Sequence, residues 1–123
     1  MTPAEFVKAV YSTVDRQEPE AFASYLTDTC IFVYGNHPPV RGRPQVAAYV
    51  KQFFSMIRSL SHEVVDVWEV ADAIITRAAV TYTRHDSINV TFPCVTIWLT
   101  VGAKISDYRI YIDNSSLFGD SHA

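Results

Sequence analysis

Apolar residues recur at helical spacing in the first third of the chain and at strand spacing in most of the rest. Thr2-Pro3-Ala4-Glu5 reads as a helix start. Thr2 serves as N-cap, Pro3 takes the first helical position where its missing N–H is harmless, and Glu5 closes a capping box. Phe6, Val7, Val10, Tyr11 and Val14 then form one apolar stripe. Pro19 opens a second, short helix carrying Phe22, Tyr25 and Leu26. The run Cys30-Ile31-Phe32-Val33-Tyr34 is β-branched and aromatic, which predicts a strand. Gly35 to Gly42, with two prolines, predicts a loop. A third helix is expected from about Arg43 to Arg58, burying Val46, Val50, Phe53, Phe54 and Ile57.

From Ser61 onward the pattern predicts four long strands, over roughly 61–70, 73–84, 88–101 and 104–113. The gaps between them are too short for parallel crossovers, so the strands must form antiparallel hairpins. Within the third of them Ile88, Val90 and Phe92 alternate before Pro93, and Val95, Ile97, Leu99 and Val101 alternate after it, one residue out of step. Such a slip predicts a β-bulge at Pro93-Cys94, and bulges bend strands. The expected fold class is α+β: a cone-shaped, strongly curved antiparallel sheet covered by about three N-terminal helices.

Length and charge narrow the function classes. The 123 residues suit one domain spanning 1–123. A composition that is 49% hydrophobic and 19% charged rules out disorder and leaves apolar surface to line a cavity or a subunit interface. Net charge is −3 and the basic residues are scattered, which argues against nucleic acid as a partner. MTPAEFVKAV has no basic region followed by an apolar run, so no secretory signal is expected. No stretch approaches the ~20 apolar residues of a membrane span. Cys30 and Cys94 are read as buried free thiols, and the expected location is cytoplasmic. His62, His85 and His122 have no metal-binding spacing, and no HExxH or CxxC occurs, so no metal is expected. Glycines 35, 42, 102 and 119 build no phosphate-cradling loop, so no cofactor is expected either. No GxSxG elbow is present to support a covalent nucleophile.

The element order, together with Tyr34-Gly35-Asn36-His37-Pro38 ahead of Arg41-Gly42-Arg43 and the closing Lys104-Ile105-Ser106-Asp107-Tyr108-Arg109-Ile110-Tyr111-Ile112-Asp113, resembles the nuclear-transport-factor-2-like superfamily. That superfamily has a cystatin-like topology and includes SnoaL-like polyketide cyclases, ketosteroid isomerase and limonene-epoxide hydrolase. The resemblance runs from Thr2 to about Leu117. Where the ketosteroid isomerases carry their base and their protonated acid, this chain has Tyr34 and Val95, and Val10 beside Tyr11 stands at the position of the first-helix hydroxyl. A steroid isomerase of that type is therefore not implied. The water-holding Tyr-x-Asn of the epoxide hydrolases is matched by Tyr34 and Asn36, their bridging Arg by Arg77 and their basic Asp by Asp113. Their proton-donating acid falls at Ala79, which has no proton to give. The single carboxylate of the SnoaL-like cyclases is matched by Asp113.

The resemblance implies a pocket for a small apolar organic ligand and a cofactor-independent isomerase, cyclase or hydrolase. Asp113 is the expected base, raised in pKa by an apolar surrounding. Tyr34 and Asn36 are expected to position water or substrate, Arg77 to stabilise charge, and His37 to stand in for the missing acid. Trp68, Val95, Tyr11 and Phe54 make up the expected substrate-binding wall. It also implies a homodimer through the outer sheet face, with Ile110 and Ile112 as interface residues. Other readings remain open. Alternation alone puts Asp113 with Arg109 and Tyr111 on a solvated face. Arg77 fits a structural ion pair equally well, Tyr34 and Asn36 fit a turn, His37 fits an exposed loop, and Trp68 fits a core or interface. The alternative function is a non-catalytic ligand-binding or dimeric interaction domain of the same fold.

Overall fold

The computed structural model describes residues 1–118; His122 lies outside them. The elements are α1 (Pro3–Asp15), α2 (Pro19–Ala23), β1 (Leu26–Tyr34), β2 (Val40–Arg41), α3 (Arg43–Ser55), β3 (Ser59–Val70), β4 (Ala73–Thr83), β5 (Asn89–Val101) and β6 (Lys104–Ile112). The strands form one six-stranded, curved and unclosed sheet in the order β2-β1-β6-β5-β4-β3. All neighbouring pairs are antiparallel except β1 and β6, which run parallel.

The start of α1 is as the sequence dictates. Thr2 Oγ1 accepts from the Glu5 backbone N–H at 3.1 Å, and Glu5 Oε1 accepts from the Thr2 N–H at 2.7 Å. Two of the donors that every helix start leaves orphaned are thereby satisfied. α2 is shorter than expected: Tyr25 lies in a turn and Leu26 begins β1, drawn into the sheet by its pairing with Ile105. α3 stops at Ser55, and long-range donors cover its last carbonyls. Gln17 Nε2 donates to the Phe54 carbonyl at 3.2 Å, and the His85 ring nitrogen lies 2.9 Å from that of Ser55.

The predicted bulge at Pro93-Cys94 is absent. β4 and β5 keep one unbroken register from Ala73↔Leu99 to Thr83↔Asn89. The sequence slip marks a change of face instead: Phe92, Cys94, Thr96 and Trp98 all point inward, whereas Val95, Ile97, Leu99 and Val101 make the outer face apolar. Pro93 lies one residue beyond the last β5–β6 pair, Cys94↔Ile112, where β6 has ended and no carbonyl waits for its missing N–H. The irregularities are elsewhere, between Leu26 and Ile31 in β1, at Val65 in β3 and between Leu99 and Thr100 in the β5–β6 pairing. An unpaired extra residue bends its strand, so these positions contribute to the curvature.

The helices lie across the concave face. Trp98 is wholly buried there, with edge-on contacts to Phe6 at 5.7 Å and Tyr11 at 5.7 Å, and with Tyr108 at 5.2 Å. No helix among the described residues is long and apolar enough to cross a membrane, and they contain no cluster of three metal-ligating side chains.

Trp98 joins α1 to β5 and β6, so Trp98→Ala is expected to lower unfolding free energy by about 3–5 kcal/mol, the usual loss for a buried aromatic. Urea denaturation checks this; a loss below about 1 kcal/mol would show that Trp98 is not central to the core.

Candidate functional site

The inward positions of β1, β4, β5 and β6 and the apolar stripes of the helices do not quite meet. They leave a cavity offering the centres of water-sized molecules about 60 Å³. Its walls are largely aromatic and aliphatic, from Phe22, Phe32, Phe53, Phe54, Ile110 and Ile112 among others, and no Asp, Glu, Lys or Arg among the described residues lines it. Beyond Tyr34, Tyr49 and Phe53, which border both spaces, lies an outer chamber of about 430 Å³ by the same measure.

Polarity inside the cavity comes from phenols, a threonine, a thiol and one imidazole. His62, on β3, stacks on Tyr11 of α1 with ring centroids 4.1 Å apart and planes within 9°. Its Nδ1 lies 2.7 Å from Asp15 Oδ1, and its backbone N–H donates to Asp15 Oδ2 at 3.0 Å. A carboxylate only accepts, so in the neutral ring Nδ1 carries the hydrogen and Nε2 keeps its lone pair. Only 11% of the His62 side chain is exposed, against 27% for Asp15, which sits at the water side of the pair. The Tyr11 hydroxyl donates to Thr96 Oγ1 at 2.9 Å.

A second polar group stands next to the first. Tyr34 and Tyr82 bring their hydroxyls to 2.7 Å, and Asn114 Nδ2 donates to the Tyr34 oxygen at 2.8 Å. The two phenols own two hydrogens between them. One bridges the pair, and the other stays free for a ligand whichever hydroxyl does the bridging. Burial raises both phenols, Tyr34 to about 12 and Tyr82 further, so both remain protonated donors at neutral pH. His62 pairs with Val80 on β4, and Tyr82 follows two residues on along the same face. Diagonal neighbours of this kind lie roughly 7–8 Å apart. The imidazole and the phenol pair thus line one cavity from neighbouring strands.

The expected site is brought together only in part. Tyr34, Tyr11 and Phe54 line the cavity. His37 stands at the outer chamber, its Nδ1 2.9 Å from the Tyr49 hydroxyl. Asn36 is exposed in the turn closed by the His37 N–H on the Tyr34 carbonyl, and borders neither space. Asp113 is exposed just past the end of β6, and its carboxylate accepts from the Ser115 hydroxyl and backbone N–H. Those bonds hold it below the usual carboxylate range and outweigh desolvation, the reverse of the shift expected of a buried base. Arg77 points outward from β4, where Nε donates to Asp66 at 2.9 Å. Val95 pairs with it on the same outer face, and Trp68, 48% exposed, lies on that side of β3. Ile110 and Ile112, expected at an interface, line the cavity instead. Strict alternation places Arg77, Val95, Ile110 and Ile112, whereas Trp68 is turned outward by the extra residue Val65, which reverses the parity of β3.

Sequence reasoning missed Asp15, His62, Tyr82 and Asn114. For Tyr82 the signal was present: Thr76, Ala78, Val80 and Tyr82 alternate against Arg77, Ala79, Thr81 and Thr83. Asp15 and His62 are 47 positions apart on different element types, and no local pattern joins them.

The SnoaL-like domain model matches residues 7–108. No curated protein matches the chain significantly. Among solved structures, a hypothetical protein of ketosteroid isomerase-like fold from Catenulispora acidiphila, in complex with trimethylamine, superposes with a TM-score of 0.86 at 19% identity, covering 94% of this chain and 90% of that one. An LEH-like epoxide hydrolase of Mycobacterium tuberculosis gives 0.80 at 14%, covering 94% and 86%. A cystatin-fold protein from Novosphingobium aromaticivorans gives 0.75 at 20%, covering 89% and 97%. Identities this low establish a shared fold.

A phenol raised in the folded state keeps its proton where the unfolded chain has already lost one. The stabilisation from Tyr34 is therefore complete below pH 10 and lost as pH rises toward about 12, with Tyr11, Tyr82 and Tyr108 acting in the same direction. The urea midpoint should fall steadily across that window, with phenolate absorbance lagging until the chain unfolds. Ordinary titration of all seven tyrosines near pH 10 in the folded protein would contradict this.

Proposed function

The chain belongs to the SnoaL-like domain family, and from that premise we propose that it binds a small apolar cyclic molecule in its cavity and moves a proton on it without a cofactor. His62 is the general base, Asp15 the group that orients it, and the Tyr34–Tyr82 pair the hydrogen-bond donor to the ligand's oxygen. The observation that carries this reading is the imidazole–carboxylate pair beside a phenol pair with one uncommitted hydrogen, in a cavity lined by no charged side chain.

The chemistry follows from those atoms. Nε2 of His62 takes a proton from the carbon next to a ligand carbonyl, and the C–H electron pair becomes the C=C of an enol. The carbonyl oxygen gathers negative charge and receives the free phenol hydrogen bond, which is stronger in an apolar surrounding than in water. Returning the proton to another carbon gives isomerisation, and attack of the enol carbon on a second carbonyl gives cyclisation. Taking the proton from water instead lets the resulting hydroxide bond to an electrophilic carbon as a C–O bond of the ligand breaks, with the imidazolium returning the proton to the departing oxygen, and gives hydrolysis. A second reading is a ligand-binding protein that performs no reaction. Asp15 also accepts the His62 backbone N–H, and that contact straps α1 to β3 whatever the imidazole does.

The outer face supports a homodimer. Ile97, Leu99 and Val101 on β5, Trp68 and Val70 on β3, and Tyr111 on β6 give it an apolar surface. Its two arginines are neutralised within the chain, Arg77 by Asp66 and Arg109 by Asp107, which removes their repulsion between twin surfaces. Both cysteines are free, which suits a reducing compartment, and we place the protein in the cytoplasm.

Two outcomes check these readings. In D₂O the protein should accelerate deuterium exchange next to the carbonyl of cyclohexanone. His62→Gln should remove about 10²–10⁴-fold of that rate and Asp113→Asn less than about twofold. Exchange insensitive to His62→Gln would eliminate the imidazole as base. Binding of cyclohexanone without exchange would establish the non-catalytic reading. Sedimentation should give a dimer that Leu99→Asp with Val101→Asp converts to folded monomers. A wild-type monomer at micromolar concentration would exclude the dimer.

A further inference from the structure

The cavity and the outer chamber differ in size and share a threshold. One water position needs roughly 10–15 Å³ of centre space, so the inner 60 Å³ takes about four to six waters, the bulk of a single six-membered ring. The outer chamber, at about 430 Å³, is several times larger. Tyr49 of α3 stands between them. Its ring lies 5.9 Å from Phe32 in the inner wall, and its hydroxyl is tied to His37 at the outer rim. Met56 and Phe118 border the outer chamber and remain about half exposed, at 48% and 51%, although both lie away from the apolar outer sheet face. Among the described residues the polar groups there are uncharged amides and hydroxyls and the His37 ring, with no carboxylate, ammonium or guanidinium.

A ligand that filled only the inner cavity would leave Phe53, Met56 and Phe118 against water. A charged extension would find no counter-charge in the chamber walls. We infer that the ligand is bipartite: one oxygen-bearing ring seated in the inner cavity, and an uncharged, mainly apolar substituent of several carbons running past Tyr49 into the outer chamber. This rests on the cavity being the ligand site, as proposed above. It adds that the outer chamber, through Tyr49, Met56 and Phe118, selects the substituent, and that the ring alone binds weakly.

The test uses a series of phenols from phenol to 4-hexylphenol, titrated into the protein and followed by the imidazole resonances of His62 and His37. Phenol should move His62 alone. Lengthening the chain should move His37 as well and tighten Kd by up to roughly fourfold per methylene, the ratio for burying one CH₂ fully. Met56→Trp, which fills the chamber from an exposed position, should erase most of that gain. If phenol moves His62 but affinity is flat with chain length, or His37 never responds, the bipartite ligand is refuted and the cavity reading stands. A gain that Met56→Trp leaves intact places the chain elsewhere and also refutes it. If no member of the series moves His62, both readings fail together.

Discussion

Successive side chains on a β-strand point to opposite faces, and the in-register pairing of β4, β5 and β6 makes that parity common to three strands. Thr76, Thr96 and Ile110 form one row across the sheet and face the helices. Arg77, Val95 and Tyr111 form the neighbouring row and face away from them. Because no bulge interrupts β4 and β5, nothing along their length can exchange the two faces. The interior chemistry is whatever the inward parity contains: hydroxyls, a thiol and aromatic rings. Arg77 and Arg109 fall to the other side and are neutralised there by aspartates of the same chain.

An interior without formal charge gives its few polar atoms unusual weight. Burial lifts the phenols and pushes the Cys94 thiol up to about 11, so hydrogen-bond donors and a weak acid, rather than ions, confront a ligand. The imidazole of the cavity, His62, is fixed by a carboxylate placed on its water side. Asp15 can thus remain hydrated while it holds the ring, which avoids the large cost of carrying an isolated carboxylate into the cavity.

Local rules were legible in the sequence wherever they governed the outcome. The Thr2 cap, the order of elements, the hairpins at Ala71-Asp72 and Gly102-Ala103, and the apolar stripe of α1 all followed from short-range pattern. Two kinds of feature did not. Leu26 to Thr29 is polar enough to read as non-strand, and it joins β1 because Leu26 pairs with Ile105 and Ile31 with Asp107, contacts between distant segments that anchor the stretch on either side. The site itself failed for a different reason. Aligning the chain to relatives put weight on Asp113 and Arg77, whereas alternation on their own strands assigned both to the outside. The residue that reaches Tyr34 is Asn114, one step past Asp113. A single-residue offset is small in an alignment and decisive in a strand.

Pro93 has a consequence of another kind. Where β6 ends, the first residues of β5 keep β4 on one side and have no strand on the other. A bare backbone margin invites a foreign strand to dock, and the segment Val90-Thr91-Phe92 has the composition that would reward it. The imide nitrogen offers an incoming carbonyl nothing to bind, and its ring crowds the approach. The same residue that closes the ladder without waste thus guards the chain against edge-to-edge polymerisation.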